Sequence, residues 1–182
     1  PPPPPPPPPF FFHPQPAIPD PLWSRGLGDV YKRQTLAFPK VLNASSSLKI
    51  IDGDTIILNS VKIRFYGIDT PEIKQTCIDN YGHTYSCGIR AKLELEKIIG
   101  SRKISCIKKT KDRYKRSISI CYVDENDINS LMVKRGWALA YRKYSKKYVK
   151  DEAIAKLNDA GMWSGKFIAP WKWRRMKNKK VR

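Results

Sequence analysis

Two short acidic stretches carry the side chains with the clearest capacity for chemistry. The first reads Asp-Gly-Asp-Thr over residues 52–55, and the second reads Asp-Thr-Pro-Glu over residues 69–72. The carboxylates of Asp54 and Asp69, with a nearby carbonyl such as that of Thr70, make an oxygen-rich site that selects calcium or magnesium over softer metals. Either stretch alone is more typical of a turn or a helix cap, so a metal site requires the two to meet.

The same part of the chain supplies other groups that phosphodiester hydrolysis requires. A base must orient or deprotonate water, and Glu72 is the candidate. Charge that develops on the phosphoryl oxygens needs fixed donors, and guanidinium groups match phosphate geometry. Arginines are usually plain surface charge in a basic chain. Arg64 and Arg116 are distinguished by position, because Arg64 lies beside the acidic stretches and Arg116 at the base of a predicted hairpin.

A first hairpin explains how the acidic stretches meet. Residues 55–58 and 61–66 are rich in β-branched and aromatic residues and are predicted to be strands. The Asn-Ser pair between them suits a tight turn. Because the return strand matches the outgoing strand in length, residues 64–69 are predicted to lie beside residues 52–55.

The remaining elements indicate the fold class. A first strand is predicted over residues 48–51, and a second hairpin pairs residues 103–108 with 117–123. Five short strands with helices after the third and fifth favour an α+β fold, mainly β, built on a five-stranded barrel with three helices. Those helices are predicted over residues 89–99, 128–135 and 146–160, with Asp127 and Ser145 as the N-caps of the second and third.

Four cysteines indicate two disulfide bonds. Cys106 and Cys121 are equidistant from the predicted turn at residues 113–114, so a simple hairpin register places them opposite each other, within disulfide reach. Cys77 and Cys87 bracket a loop that a disulfide could close. Four cysteines allow three pairings, and zinc is the alternative, but no Cys-x-x-Cys pair is present. We predict Cys77–Cys87 and Cys106–Cys121, which implies an oxidising compartment.

The motifs, in this order, resemble the staphylococcal nuclease family. They are Asp-Gly-Asp-Thr, Arg-x-x-Gly-Ile-Asp-Thr-Pro-Glu, Asp-Arg-Tyr-x-Arg and a segment ending in Gly-x-Ala-x-Ala-Tyr, and the match covers about residues 48–164. The resemblance implies an OB-fold barrel with three helices and a calcium-dependent nuclease. It also implies cleavage of DNA and RNA, single strands preferred, to 3′-phosphate and 5′-hydroxyl ends.

The resemblance also implies roles for individual residues. It places calcium on Asp54, Asp69 and the Thr70 carbonyl. The implied general base is Glu72, and the implied phosphate-binding residues are Arg64 and Arg116. Contacts to a terminal phosphate and to the nucleotide are implied for Arg113, Tyr114 and Tyr141.

One residue departs from the family pattern. Lys115 stands where the family usually has the glycine of Asp-Arg-Tyr-Gly-Arg. If that turn needs a positive φ, the lysine costs about 1 kcal/mol or more, because its Cβ crowds the backbone in this region. The substitution therefore bears on the position of the neighbouring Arg116 side chain.

The net charge indicates the kind of partner. Lys plus Arg number 35 against 16 Asp plus Glu, a formal net charge of +19. Such an excess favours a polyanion, either nucleic acid or an anionic membrane surface. No apolar run reaches the length of a membrane span. We therefore expect DNA and RNA as partners, no stable membrane insertion, and a monomer.

The two ends of the sequence lie outside the predicted domain. Residues 1–34 begin with nine prolines and end in a stretch resembling translated adapter DNA, so we expect a disordered, non-native segment rather than a polyproline-II arm. Residues 35–47 resemble the remnant of a signal peptide, which agrees with a secreted or periplasmic protein. Residues 165–182 form a basic, tryptophan-rich tail.

Two rival functions fit part of this pattern. One is a catalytically inactive OB-fold module that binds nucleic acid through the same basic and aromatic surface. Such a module typically lacks the carboxylates or arginines, and here all five side chains are present. The other is a disulfide-bonded protein with a membrane-active tail, which depends only on residues 171–182.

Overall fold

The computed structural model describes residues 47–180, and the predictions for residues 1–46 fall outside this range. The strands are β1 (Leu48–Ile50), β2 (Thr55–Leu58), β3 (Val61–Phe65), β4 (Ile68–Asp69), β5 (Cys77–Ile78), β6 (Thr84–Tyr85), β7 (Ile104–Lys111), β8 (Ser117–Val123), β9 (Asn126–Asp127) and β10 (Leu139–Ala140). The helices are α1 (Cys87–Ile99), α2 (Ile128–Lys134), α3 (Val149–Leu157) and α4 (Pro170–Lys180), with a 3-10 helix at Gly161–Ser164.

A six-stranded mixed sheet forms the centre of the fold. Its order is β1-β2-β3-β8-β7, with β9 paired to β8. Neighbouring strands are antiparallel except β3 and β8, which run parallel. The α+β class is confirmed; the strands of the predicted barrel do not close into a ring among the described residues, because β1 and β7 lie at opposite ends of the strand order. The three residues of β1 all pair with β2, and so short a strand offers few groups for a second ladder.

The first hairpin has the predicted register. Thr55 pairs with Arg64 at one end of the ladder, and the turn follows at the other. The two turn residues, Asn59 and Ser60, have φ angles of 49° and 66°, as a type I′ hairpin turn requires. Beyond the ladder the Phe65 amide donates to the carbonyl oxygen of Asp54 at 2.8 Å. The pairing therefore extends into the acidic stretch.

Helix α1 closes one side of the sheet with the predicted apolar face. Its residues Ala91, Leu95, Ile98 and Ile99 are buried in one cluster with Phe65. The helix begins two residues earlier than predicted and ends as predicted at Gly100, whose φ is 56°. An apolar stripe with a spacing of three to four residues is what a helix packed on one side requires.

Two features of the helices differ from the prediction. The part of the chain described here has four α-helices rather than three, because α4 lies in the segment predicted to be a tail. The third helix, α3, is shorter than the predicted residues 146–160 and does not begin after Ser145. The preceding Tyr148 is buried in the core, and its hydroxyl donates to Asp127, which fixes the residue before the helix starts.

Both predicted disulfides are present. Cys106 and Cys121 face each other in the β7–β8 ladder, with a Cα–Cα distance of 4.1 Å. The Cα atoms of Cys77 and Cys87 are 5.6 Å apart, and this disulfide joins the start of β5 to the first residue of α1. The zinc alternative is wrong, because no cysteine is left unpaired.

Loss of the Cys106–Cys121 bond should lower the free energy of unfolding by about 3 kcal/mol, the value expected for closing a loop of this length. The double variant Cys106→Ala, Cys121→Ala tests this by urea denaturation without reductant. Peptide mapping under non-reducing conditions is the control, and four free thiols in the wild-type protein would contradict the pairing.

None of the helices between residues 47 and 180 combines the length and apolar character needed to cross a bilayer.

Candidate active site

A cleft of about 1010 Å³ collects the residues singled out by the sequence. All the predicted metal, catalytic and substrate-binding residues line it except Asp69, which lies fully buried beneath its floor. Helix α4 supplies part of the wall through Trp171, Arg174 and Arg175. The sequence did not predict this contribution.

Two buried carboxylates and one arginine form the centre of the site. Asp54 and Asp69 are 2% and 0% exposed. Arg64 bridges them, with one Nη atom 2.8 Å from Asp54 and the other 2.6 Å from Asp69. The Thr70 amide donates to the second oxygen of Asp54 at 3.2 Å. The hairpin register therefore brings the two acidic stretches together as predicted.

A glycine makes the sharp return from β3 to β4 possible. Gly67 has a φ of 72°, and a Cβ there would lie 3.1 Å from Ser145 and 3.2 Å from Tyr148. The Gly67 carbonyl accepts from the Tyr141 amide at 2.9 Å. One residue that tolerates positive φ thus places both Asp69 and Tyr141.

Burial and mutual repulsion act on the carboxylates of the acidic cluster, although Arg64 and Arg174 both pair with it. Burial raises the pKa of Asp52 to about 7, and repulsion from Asp54 contributes. Burial also raises the pKa of Asp69. Burial alone would lower the pKa of Arg64, but attraction to Asp54 and Asp69 outweighs it and raises that pKa. A cation at this position would therefore relieve repulsion between buried carboxylates.

The donor set fits a hard divalent cation. Carboxylate oxygens of Asp54 and Asp69 and the adjacent main chain of Thr70 are the ligands that calcium prefers. Over residues 47–180 no group of three or more His, Cys, Asp and Glu side chains is arranged to hold a metal. The candidate set has only two carboxylates. Few protein ligands leave coordination positions for water and a phosphate oxygen.

An arginine from α4 completes the ion-pair network. One Nη atom of Arg174 lies 2.8 Å from Glu72 and the other 2.8 Å from Asp69. Arg174 was assigned only to a basic tail from the sequence. The available signal was Pro170, since proline is favoured at the first position of a helix.

The turn between β7 and β8 is organised by Asp112, a residue that the sequence pattern does not assign to the site. One oxygen of Asp112 accepts from the amides of Tyr114 and Arg116, each at 2.9 Å. Its other oxygen accepts from Nε of Arg116 at 2.7 Å. Because Nε is fixed in this way, the two Nη groups of Arg116 remain for the cleft. Arg113 donates to the Tyr114 hydroxyl at 2.6 Å.

The turn does require a positive φ at Lys115, where the angle is 62°. We expect Lys115→Gly to raise the free energy of unfolding by up to about 1 kcal/mol, because glycine adopts this conformation without crowding. Urea denaturation measures the change. In the matched control, Lys108→Gly in β7, the same exchange in a strand should cost about 0.5–1 kcal/mol. If the free energy of unfolding falls equally in both variants, strain at Lys115 is contradicted.

Aromatic rings line the end of the cleft beyond the arginines. Tyr141 stacks on Trp171, with ring centroids 5.4 Å apart and planes 8° from parallel. Tyr144 meets Tyr141 edge-on at 5.0 Å. One face of Tyr141 is therefore covered by Trp171, and the aromatic surface offered to a base is shared between the two residues.

The structure thus brings all nine predicted metal, catalytic and substrate-binding residues to one cleft or its floor. Their chemical roles stay predictions. Arginines can stabilise charge on phosphoryl oxygens and aromatic rings can stack with unpaired bases, so the groups that line the cleft suit a nucleic-acid substrate.

Comparison with known proteins defines the family. The family described as "Staphylococcal nuclease homologue" matches residues 62–165. An uncharacterized endonuclease of Haemophilus influenzae is 32% identical over 141 residues, 73% of this chain and 74% of that protein. The micrococcal nuclease of Shigella flexneri is 31% identical over 146 residues, 70% and 78% of the two chains. The chain belongs to the staphylococcal nuclease family, whose fold is the OB-fold.

A longer protein contains a segment similar to this chain. The staphylococcal-like nuclease CAN1 of Arabidopsis thaliana is 30% identical over 145 residues, 78% of this chain but 42% of that protein. These relatives support a hydrolase of the nuclease class with a nucleic acid as substrate. The two disulfides are compatible with an extracellular or periplasmic location.

Proposed function

We propose that this protein is a calcium-dependent nuclease that hydrolyses phosphodiester bonds of DNA and RNA, single strands preferred, and leaves 3′-phosphate and 5′-hydroxyl ends. The observation that carries the proposal is one connected ion-pair network. It joins the buried carboxylates of Asp54 and Asp69, through Arg64 and Arg174, to Glu72 at the edge of the cleft.

The residues divide the chemistry between them. Asp54, Asp69 and the Thr70 carbonyl would hold the ion, which would polarise the phosphate when bound. Glu72 takes a proton from water as the water attacks phosphorus, the bond from phosphorus to the 5′ oxygen breaks, and the departing 5′ oxygen takes a proton from solvent water. Charge that accumulates on the phosphoryl oxygens is met by Arg64 and Arg116 (the latter with Nε already fixed by Asp112).

The wall of the cleft accounts for the proposed preference for single strands. Arg113 and Tyr114 lie together at the β7–β8 turn, where they are proposed to contact a terminal phosphate. The Tyr141–Trp171 pair presents aromatic surface for a base. Stacking on such a surface requires unpaired bases, whereas bases within a duplex are already stacked on each other.

The cleft and the disulfides support two further parts of the proposal. One chain supplies every residue of the network, so a monomer suffices for the reaction. Both disulfides need an oxidising compartment, and we place the protein outside the cytoplasm, secreted or periplasmic.

One assay separates the enzyme from the binding-module alternative. Labelled single-stranded DNA is incubated with the protein across a calcium titration, then with excess chelator, and the product ends are tested for 3′-phosphate. We expect cleavage that rises with calcium and stops with chelator. The products should carry 3′-phosphates, which a 3′-phosphatase must remove before a polymerase can extend the strands. Protein that binds the strand yet never cleaves it would contradict the nuclease and favour the binding module.

A further inference from the structure

Glu72 has one ion-pair partner in the described part of the chain, and that partner comes from α4. The side chain of Glu72 is 38% exposed, and its Oε1 lies 2.8 Å from Nη1 of Arg174. The same Nη1 lies 3.2 Å from Oδ1 of Asp69, and Nη2 lies 2.8 Å from Oδ2. A single planar guanidinium thus spans the proposed base and a proposed metal ligand. Among the side chains described for residues 47–177, Arg174 donates to Oε1 of Glu72 and none donates to Oε2.

The segment before α4 is anchored to the loop that follows Glu72. Gln75 is fully buried, and its side-chain amide donates to the Ile168 carbonyl at 2.7 Å. Lys166 and Ile78 exchange two backbone hydrogen bonds of 2.8 and 2.9 Å. A second apolar cluster contains Cys77, Cys87 and Met162, and Phe167 packs against it. One loop therefore sets the positions of both Glu72 and Arg174.

Helix α4 forms a wall of the cleft and does not fill it. The cleft of about 1010 Å³ persists with α4 in place, and both Arg64 and Arg116 line it. A helix that blocked the site would cover these arginines. Here a buried amide and backbone pairing hold the segment, as expected for a permanent part of the site.

We infer that Arg174 is a positioning residue for the proposed reaction. Its two Nη groups hold the Glu72 carboxylate in a fixed relation to Asp69, so that the second oxygen of Glu72 faces the water to be deprotonated. The inference rests on the proposed function and adds a residue to it. A planar, bidentate donor is suited to this task because it fixes orientation as well as charge.

The alternative is that Arg174 competes with the divalent ion for Asp69 and restrains activity. The two interpretations predict different values of kcat for the variant at saturating calcium. A positioning residue lowers kcat when it is removed, since misplacing a reacting group by about 1 Å can cost about 10²-fold. Removal of a competing cation raises activity at limiting calcium and leaves kcat at saturating calcium unchanged. Both predict that calcium binds at least as tightly without the arginine, because its positive charge is lost.

Arg174→Ala tests the inference in the full chain. We expect kcat on single-stranded DNA at saturating calcium to fall about 10- to 100-fold. KM should change by less than about threefold, because the Arg64 and Arg116 donors remain. Calcium binding, followed by calorimetry and by terbium luminescence, should be unchanged or tighter. Lys172→Ala, which removes an exposed charge from the same helix, should behave as the wild-type protein does.

Arg174→Lys keeps the charge and the long stem but loses the planar fork, and it also serves if the alanine variant unfolds. We expect it to remain about tenfold below the wild-type kcat, because one ammonium group cannot hold two carboxylates in a fixed plane. Equal or higher kcat in both Arg174 variants would overturn the inference while leaving the nuclease intact. A wild-type protein that never cleaves would overturn the proposed function and this inference together.

Discussion

Glu72→Gln should lose at least about 10²-fold in kcat while the protein still binds calcium and nucleotide. The amide has nearly the shape of the carboxylate and can still accept a hydrogen bond from Arg174. It cannot take a proton from water. Glu72 is partly exposed at the edge of the cleft, outside the buried pair of Asp54 and Asp69, so the ion should not depend on it.

Single-turnover cleavage and calorimetric calcium binding measure the two properties separately. Asp69→Ala should lose both, because a buried ligand disappears and Arg64 and Arg174 lose their shared partner. Glu94→Gln is the matched control for the amide exchange, since Glu94 pairs with Arg135 at the surface of α1. If Glu72→Gln abolishes calcium binding as fully as Asp69→Ala does, Glu72 acts on the metal and not on water.

Arg116→Lys should reduce kcat by about 10- to 100-fold although the charge is conserved. The guanidinium can be held by Asp112 through Nε and still present two Nη groups to a phosphate. A lysine ammonium is a single compact charge, so it cannot contact Asp112 and hold two phosphoryl oxygens at the same time. DNA binding should persist and weaken steeply with added salt, because it depends mostly on the remaining basic surface.

Arg102→Lys is the matched control for this exchange, because Arg102 pairs with Asp124 rather than with a residue of the cleft. Rapid-quench kinetics give kcat, and fluorescence anisotropy of labelled single-stranded DNA at several salt concentrations gives binding. An Arg116→Lys variant that cleaves at the wild-type rate would remove Arg116 from the proposed machinery and leave Arg64 as the phosphate donor.

The local parts of the site could be predicted from the sequence. A two-residue turn between matched strands fixes a register, and that register places Asp54 beside Asp69. The same reasoning places Cys106 opposite Cys121. In each case the partners are close in sequence and the pattern of the intervening residues determines the geometry. The N-cap at Asp127 follows from residue type, and its side chain accepts from the Ser130 amide as expected.

The distant parts of the site could not be predicted in this way. Helix α4 is dominated by Lys, Arg and Trp and has no apolar stripe of helical period, so its sequence does not indicate a surface to pack against. Its position depends on a buried amide at Gln75 and on backbone pairing with β5, neither of which leaves a pattern in the sequence of α4 itself. Barrel closure likewise depends on contact between strands far apart in the chain.

The span of the Arg174 contacts has a consequence for the order in which the site forms. Arg64 lies 10 residues from Asp54, whereas Arg174 lies 105 residues from Asp69. Closing the longer loop costs about 2 kcal/mol more in chain entropy on a logarithmic scale. The hairpin can therefore form early, while the last guanidinium docks only after the sheet, α1 and the β5 loop are in place. Recovery of activity after dilution from denaturant should thus report the end of folding, later than the signal from the sheet.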